Sequence, residues 1–121
     1  MSQLHLKLAA AATALTIAVA GCSGHLKADY SIQASKSYEA SLFRQNCAIC
    51  HGPEADGRTL SDGQVVPGLR NGDFKFRTDA EIHKHIAEGG NGMAPFRGLL
   101  TERELNLMVD CVQRDLRGNN K

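Results

Sequence analysis

The stretch NCAICHGP, Asn46–Pro53, sets two cysteines three residues apart, with a histidine directly after the second. A thiol pair at this spacing can bind zinc, exchange disulfides or anchor a haem. The flanks narrow the choice. Upstream, KSYEASLFRQNC puts Tyr38, Leu42 and Phe43 at helical spacing, so a helix runs into the motif. Downstream, residues 52–77 hold five glycines and two prolines in 26 residues and read as loop. So long an irregular stretch in a small domain needs an explanation, and a large ligand buried among these residues would supply one.

Two more helices follow. TDAEIHKHIAEGG opens with a capping box, Thr78 with Glu81, and stops at a glycine pair. TERELNLMVDCVQRDLRG has a second box, Thr101 with Glu104. Its apolar face is Leu105, Met108, Val109, Val112 and Leu116, and Gly118 closes it. There is no internal repeat and no convincing period-two alternation. The expected fold is all-α: three to five short helices and long loops over residues 36–118, followed by a tail at 119–121.

The first 21 residues read as a signal peptide rather than part of the fold. Lys7 precedes an apolar run, Leu8 to Ala20, that is too short to span a bilayer. Val19-Ala20-Gly21-Cys22 resembles the bacterial lipobox, in which the cysteine is lipidated and becomes the first mature residue. Residues 22–35 are then the lipidated Cys22 and a mostly polar, flexible tether that includes His25. The full chain has a formal charge of +1, and removal of residues 1–21 takes Lys7 away, leaving 13 basic against 13 acidic residues. That balance excludes a nucleic-acid binder of the basic type.

Zinc at Cys47 and Cys50 would need two more ligands, and His83, His85 and Cys111 offer no second zinc-type spacing. Disulfide exchange would waste His51 and lacks a thioredoxin-like βαβ pattern. C-x-x-C-H is instead the attachment signal for one covalent haem c. Cys47 and Cys50 add across the two vinyl groups as thioethers, and His51 gives the iron an axial imidazole. Attachment takes place outside the cytoplasm, in agreement with an exported chain. For the sixth ligand, Met1 is removed and Met108 lies on an apolar helix face. Met93 lies in the glycine-rich loop GGNGMAPF, where a thioether can project inward. His83 and His85 compete for the role, but two residues apart on a helix they point about 200° from one another.

With these residues the chain resembles the class I monohaem cytochromes c of the small bacterial, c6-like type, here as an exported lipoprotein. LFRQNCAICHGPEADG is similar to that family's first helix and haem-binding turn, VPGL to its proline loop, NGMAPF to its methionine loop and LTERELNLMVDCV to its final helix. The resemblance implies that Pro67 offers its carbonyl to the Nδ1 hydrogen of His51. Three positions depart from the family pattern. Glu39 stands where glycine is common at the crossing of the terminal helices, Cys111 stands where an aromatic is common, and Pro95 comes two residues after Met93 rather than one.

A haem with His and Met ligands leaves no open site for substrate, so the expected function is outer-sphere electron transfer rather than catalysis. The expected role is a monomeric carrier cycling Fe(III)/Fe(II) between membrane or periplasmic redox partners, held by lipid on the periplasmic side of a bacterial membrane. Lys75, Arg77, Lys84 and Arg97 around the methionine loop would suit acidic partners. The alternatives are a haem c subunit of a larger dehydrogenase or oxidase complex, and a haem-based small-ligand sensor.

Overall fold

The computed structural model describes residues 30–118. The segment expected to be a signal peptide, Cys22, His25 and the 119–121 tail lie outside the described residues. The fold is the expected all-α type, with few short helices joined by loops. Helix α1 is Tyr38–Asn46, capped by Ser37, whose hydroxyl accepts from the Ala40 amide. A single helical turn, α2, Ala48–His51, carries the cysteine motif and ends at Gly52, which has φ 83°.

Helix α3, Asp79–Glu88, and helix α4, Glu102–Asp110, both begin with the capping boxes read from the sequence. In each, the threonine hydroxyl accepts from the glutamate amide, and the glutamate carboxylate accepts from the threonine amide, at 2.9 Å for Thr78 and 2.8 Å for Thr101. Helix α4 continues through Cys111–Leu116 as a π-helix, and the bond from the Arg117 amide to the Val112 carbonyl at 3.1 Å spans the wider π turn.

The core forms where α1, α3 and α4 meet. Phe43, Ile82, Ile86, Leu105, Met108, Val109 and Cys111 are all buried in one cluster. Met108 is 2% exposed, as its place on an apolar helix face requires. The terminal helices are also joined at the surface, where the Tyr38 hydroxyl donates to Glu104, the capping residue of α4.

Two expectations need correction. The first is the tether, expected to run to Ser35. Ile32 is 0% exposed and belongs to the core. The Glu54 carboxylate binds the segment by accepting from the Ser31 hydroxyl and the Ile32 amide, both at 2.8 Å, and from the Gln33 amide at 3.1 Å. Arg44 donates to the Ile32 and Ser35 carbonyls. The domain therefore includes the residues from about Tyr30 onward, because a buried apolar side chain and a partly buried carboxylate hold them.

The second is the loop after the motif, which is not wholly irregular. Strand β1, Arg58–Thr59, pairs antiparallel with β2, Val65–Val66, with Arg58 opposite Val66 and Thr59 opposite Val65. Two-residue strands are too short to show alternation, so periodicity could not reveal them.

Candidate functional site

Helix α1 delivers Cys47 as its C-cap, and α2 turns Cys47, Cys50 and His51 into one short segment. Both cysteines are free thiols, Cys47 half-buried and Cys50 exposed. Burial pushes the Cys47 thiol up to about 12, and the neighbouring Cys50 adds to the rise.

His51 is half-buried. Burial lowers its pKa, the Pro67 backbone raises it in part, and the nearby charge of His85 lowers it again. The net result favours the neutral imidazole, the form that ligates a metal. Its Nδ1 atom is buried with no partner that meets hydrogen-bond geometry. Pro67 has no N–H, so the backbone group it presents to His51 is its carbonyl. The contact is close enough to shift the imidazole but is not a well-aligned bond.

Pro67 is held tightly in place. An added Cβ on Gly57 would sit 2.6 Å from the Val66 carbonyl oxygen and 2.9 Å from the Pro67 carbonyl carbon. The Gly57 amide donates to the His51 carbonyl at 2.9 Å. The glycine thus lets the proline segment close onto the histidine turn.

Met93 sits on a tight turn. Asn91 and Gly92 have φ 52° and 86°, and the Gly90 and Met93 backbones exchange bonds at 2.9 and 3.0 Å. This is the type I′ geometry that Asn-Gly favours. On the far side the loop is pinned to α3, with the Phe96 amide donating to Ile86 at 3.1 Å and the Arg97 amide to Ala87 at 3.0 Å. Met93 is half-buried and packs against the core cluster, as do Cys47 and Ala48.

His83 and His85 diverge. His83 Nε2 meets the Glu102 carboxylate at 2.7 Å, off the axis of an aligned hydrogen bond. His85 stacks on Phe76 with ring centroids 4.3 Å apart and acts electrostatically on His51, so it belongs to the site's surroundings. Among the described residues no three His, Cys, Asp or Glu side chains converge as a metal-binding cluster. Cys111 is buried at the helix crossing. Burial, with Asp115, Glu39 and Cys47 nearby, pushes its thiol up to about 12.

Several residues around the site gave no local signal. Arg70 donates to the Glu54 carboxylate at 2.9 Å, next to the attachment turn. Arg117, at the end of the chain's last helix, lies over the Phe74 ring at 3.7 Å and donates to the Phe76 carbonyl at 2.9 Å. Each pairing joins residues 16 or more positions apart.

A thiol pair and a histidine that favours its neutral form, held together on one short turn, are the groups that attach and ligate haem c. Together with the all-α fold they define a c-type cytochrome. The chain belongs to the cytochrome family described as cytochrome C oxidase, cbb3-type, subunit III, whose model matches residues 39–110. Membership brings covalently bound haem c and electron transfer as the general role. The solved structure of the KustC0563 c-type cytochrome is similar, at 30% identity and a TM-score of 0.54, over 67% of this chain and 95% of that one. A Tyr-to-Phe mutant of that protein aligns at 31% identity and a TM-score of 0.46, over 68% of this chain and 98% of that one. No curated protein matches the chain at a significant level.

Proposed function

We propose that the chain is a small class I, c6-like monohaem cytochrome that carries single electrons between membrane or periplasmic redox partners. It is exported and held on the periplasmic side of the membrane by lipid on Cys22. The observation that carries this reading is the Met93 loop, a rigid turn packed on the same core as Cys47. A fixed thioether there would complete the axial set and leave no position for a substrate.

The residues have distinct roles. Cys47 and Cys50 hold the haem through thioether bonds. His51 supplies the proximal nitrogen, and the Pro67 carbonyl orients its ring through Nδ1. Met93 supplies the distal sulfur. Haem bound in this way supplies a one-electron Fe(III)/Fe(II) couple, which a soft thioether shifts toward the reduced state. Lys75, Arg77, Lys84 and Arg97 are exposed, as a docking face for an acidic partner requires. Arg97 also lies 3.8 Å from Glu88, which reduces its share of the cluster.

The test is the visible and near-infrared spectrum of the protein matured in a haem c-assembling host. The expected result is haem that resists acid–acetone extraction, a sulfur-to-iron band in the oxidised form, and no carbon monoxide binding by the reduced form. Extractable haem, or ready carbon monoxide binding, would overturn the carrier reading.

A second reading, a haem subunit of an oxidase complex, is favoured by the family's description as an oxidase subunit. Detergent extraction followed by size measurement separates the two. A lone 13.0 kDa chain less its leader supports the carrier, and co-purification with larger subunits at fixed ratio supports the complex.

A further inference from the structure

We propose that the β1–β2 hairpin is a strap between the two ligand-bearing segments, and that Gln64 is its clasp. In this role Gln64 is a positioning residue that keeps the Met93 loop closed. The proposal rests on the reading of Met93 as distal ligand.

The base of the hairpin is tied to the histidine turn. The Gly57 amide donates to the His51 carbonyl at 2.9 Å, and Arg58 Nη1 donates to the Ile49 carbonyl at 3.1 Å. The returning strand leads directly into Pro67, whose backbone acts on His51. The tip is stiff. The Leu60 amide donates to the Gln64 carbonyl at 2.8 Å, the Gly63 amide to the Leu60 carbonyl at 3.0 Å, and the Gln64 amide to the Asp62 carboxylate at 2.9 Å.

From that tip the Gln64 carboxamide reaches the methionine loop. A Cβ added to Gly92 would lie 2.4 Å from Gln64 Nε2, and the three atoms nearest to it would all belong to the Gln64 side chain. Gly90, two residues earlier, has nothing within 4 Å of an added Cβ. The carboxamide therefore rests on one glycine of the Asn91-Gly92 turn, immediately before Met93.

The turn moves as a unit, because Gly90 and Met93 are bonded in both directions. On one side it is pinned to α3 through Phe96 and Arg97. Gln64 opposes its displacement on the other. Removing the carboxamide leaves the loop held on the α3 side only, so the Met93 sulfur leaves its position more often, and an outside ligand finds the iron more easily.

The experiment uses the ferric holoprotein with imidazole as probe, read by the Soret shift. The near-infrared sulfur-to-iron band is recorded first in the wild type. With the band present, Gln64→Ala should bind imidazole about fivefold faster and tighter, the factor expected for loss of a modest packing contact. Its thermal midpoint should barely move, because Gln64 is exposed. Gly92→Ala should also loosen the loop, and its effect should be smaller in the Gln64→Ala background, since the clash with the carboxamide is gone. Imidazole binding at the wild-type rate in Gln64→Ala, with the band intact, overturns the clasp. Absence of the band in the wild type overturns the Met93 reading, and the clasp with it.

Discussion

Replacement of Glu54 by alanine should destabilise the domain far more than a partly exposed carboxylate would suggest. Its oxygens accept from the Ser31 hydroxyl, the Ile32 and Gln33 amides and Arg70, at 2.8 to 3.1 Å. Hydrogen bonds to a charged group contribute about 1.5–3 kcal/mol each when well shielded. The Glu54 side chain is 29% exposed, so water replaces part of this. Arg70 is 14% exposed and would keep only the main-chain carbonyl of residue 54 and the Asp56 carboxylate, the latter at 3.7 Å. The expected net loss is about 3 kcal/mol, or about 12–24 °C in Tm for a domain of this size.

The assay is thermal unfolding of the holoprotein at neutral pH, followed by far-ultraviolet circular dichroism. Ile32→Ala should cost a comparable ~2–5 kcal/mol, because it empties a fully buried site in the same docked segment. The pH dependence follows from the carboxyl group. Burial raises its pKa, but the bonds from Ser31, Gln33 and Ile32 and the charge of Arg70 outweigh that and bring it below the ordinary value. The Glu54 contribution is then fully present above the ordinary carboxyl pKa of about 4.3, and is lost as pH falls through the lower folded value. The gap between wild type and Glu54→Ala should close in that acid range. A Glu54→Ala midpoint within about 2 °C of wild type at neutral pH would refute the docked segment as a source of stability.

Met93→Ala should abolish the sulfur-to-iron band, while Met108→Ala should keep it and lose ~2–5 kcal/mol of stability from a buried site; the opposite pattern would exchange their roles. Cys22→Ala should leave the precursor unprocessed or release the protein from membranes with its haem unchanged, and a wild-type protein found wholly in the soluble fraction would count against the lipid. Cys111, with a thiol pushed up to about 12, should be roughly one part in ten thousand thiolate at pH 8 and resist alkylation until the protein unfolds. Modification of the folded holoprotein as fast as a free thiol would contradict its burial.

The attachment motif, both capping boxes and the apolar face of the last helix were legible in the sequence. Each is local: the residues that interact lie within a few positions of one another, and spacing alone brings them together. The all-α class followed from the same short-range signals. The loop that carries Met93 was also legible, as a glycine-rich stretch after a short helix. What only the tertiary structure decided is which distant residues meet. Ser31 to Gln33 read as tether because a short polar run shows no periodicity, yet Glu54, 21 or more residues away, binds their backbone and Ile32 enters the core. The β1–β2 hairpin was hidden because two-residue strands carry no alternation. The seat of Gln64 on Gly92 joins positions 28 apart through contact across loops. Such pairings depend on how the chain closes in space, and no local spacing in the sequence encodes that closure.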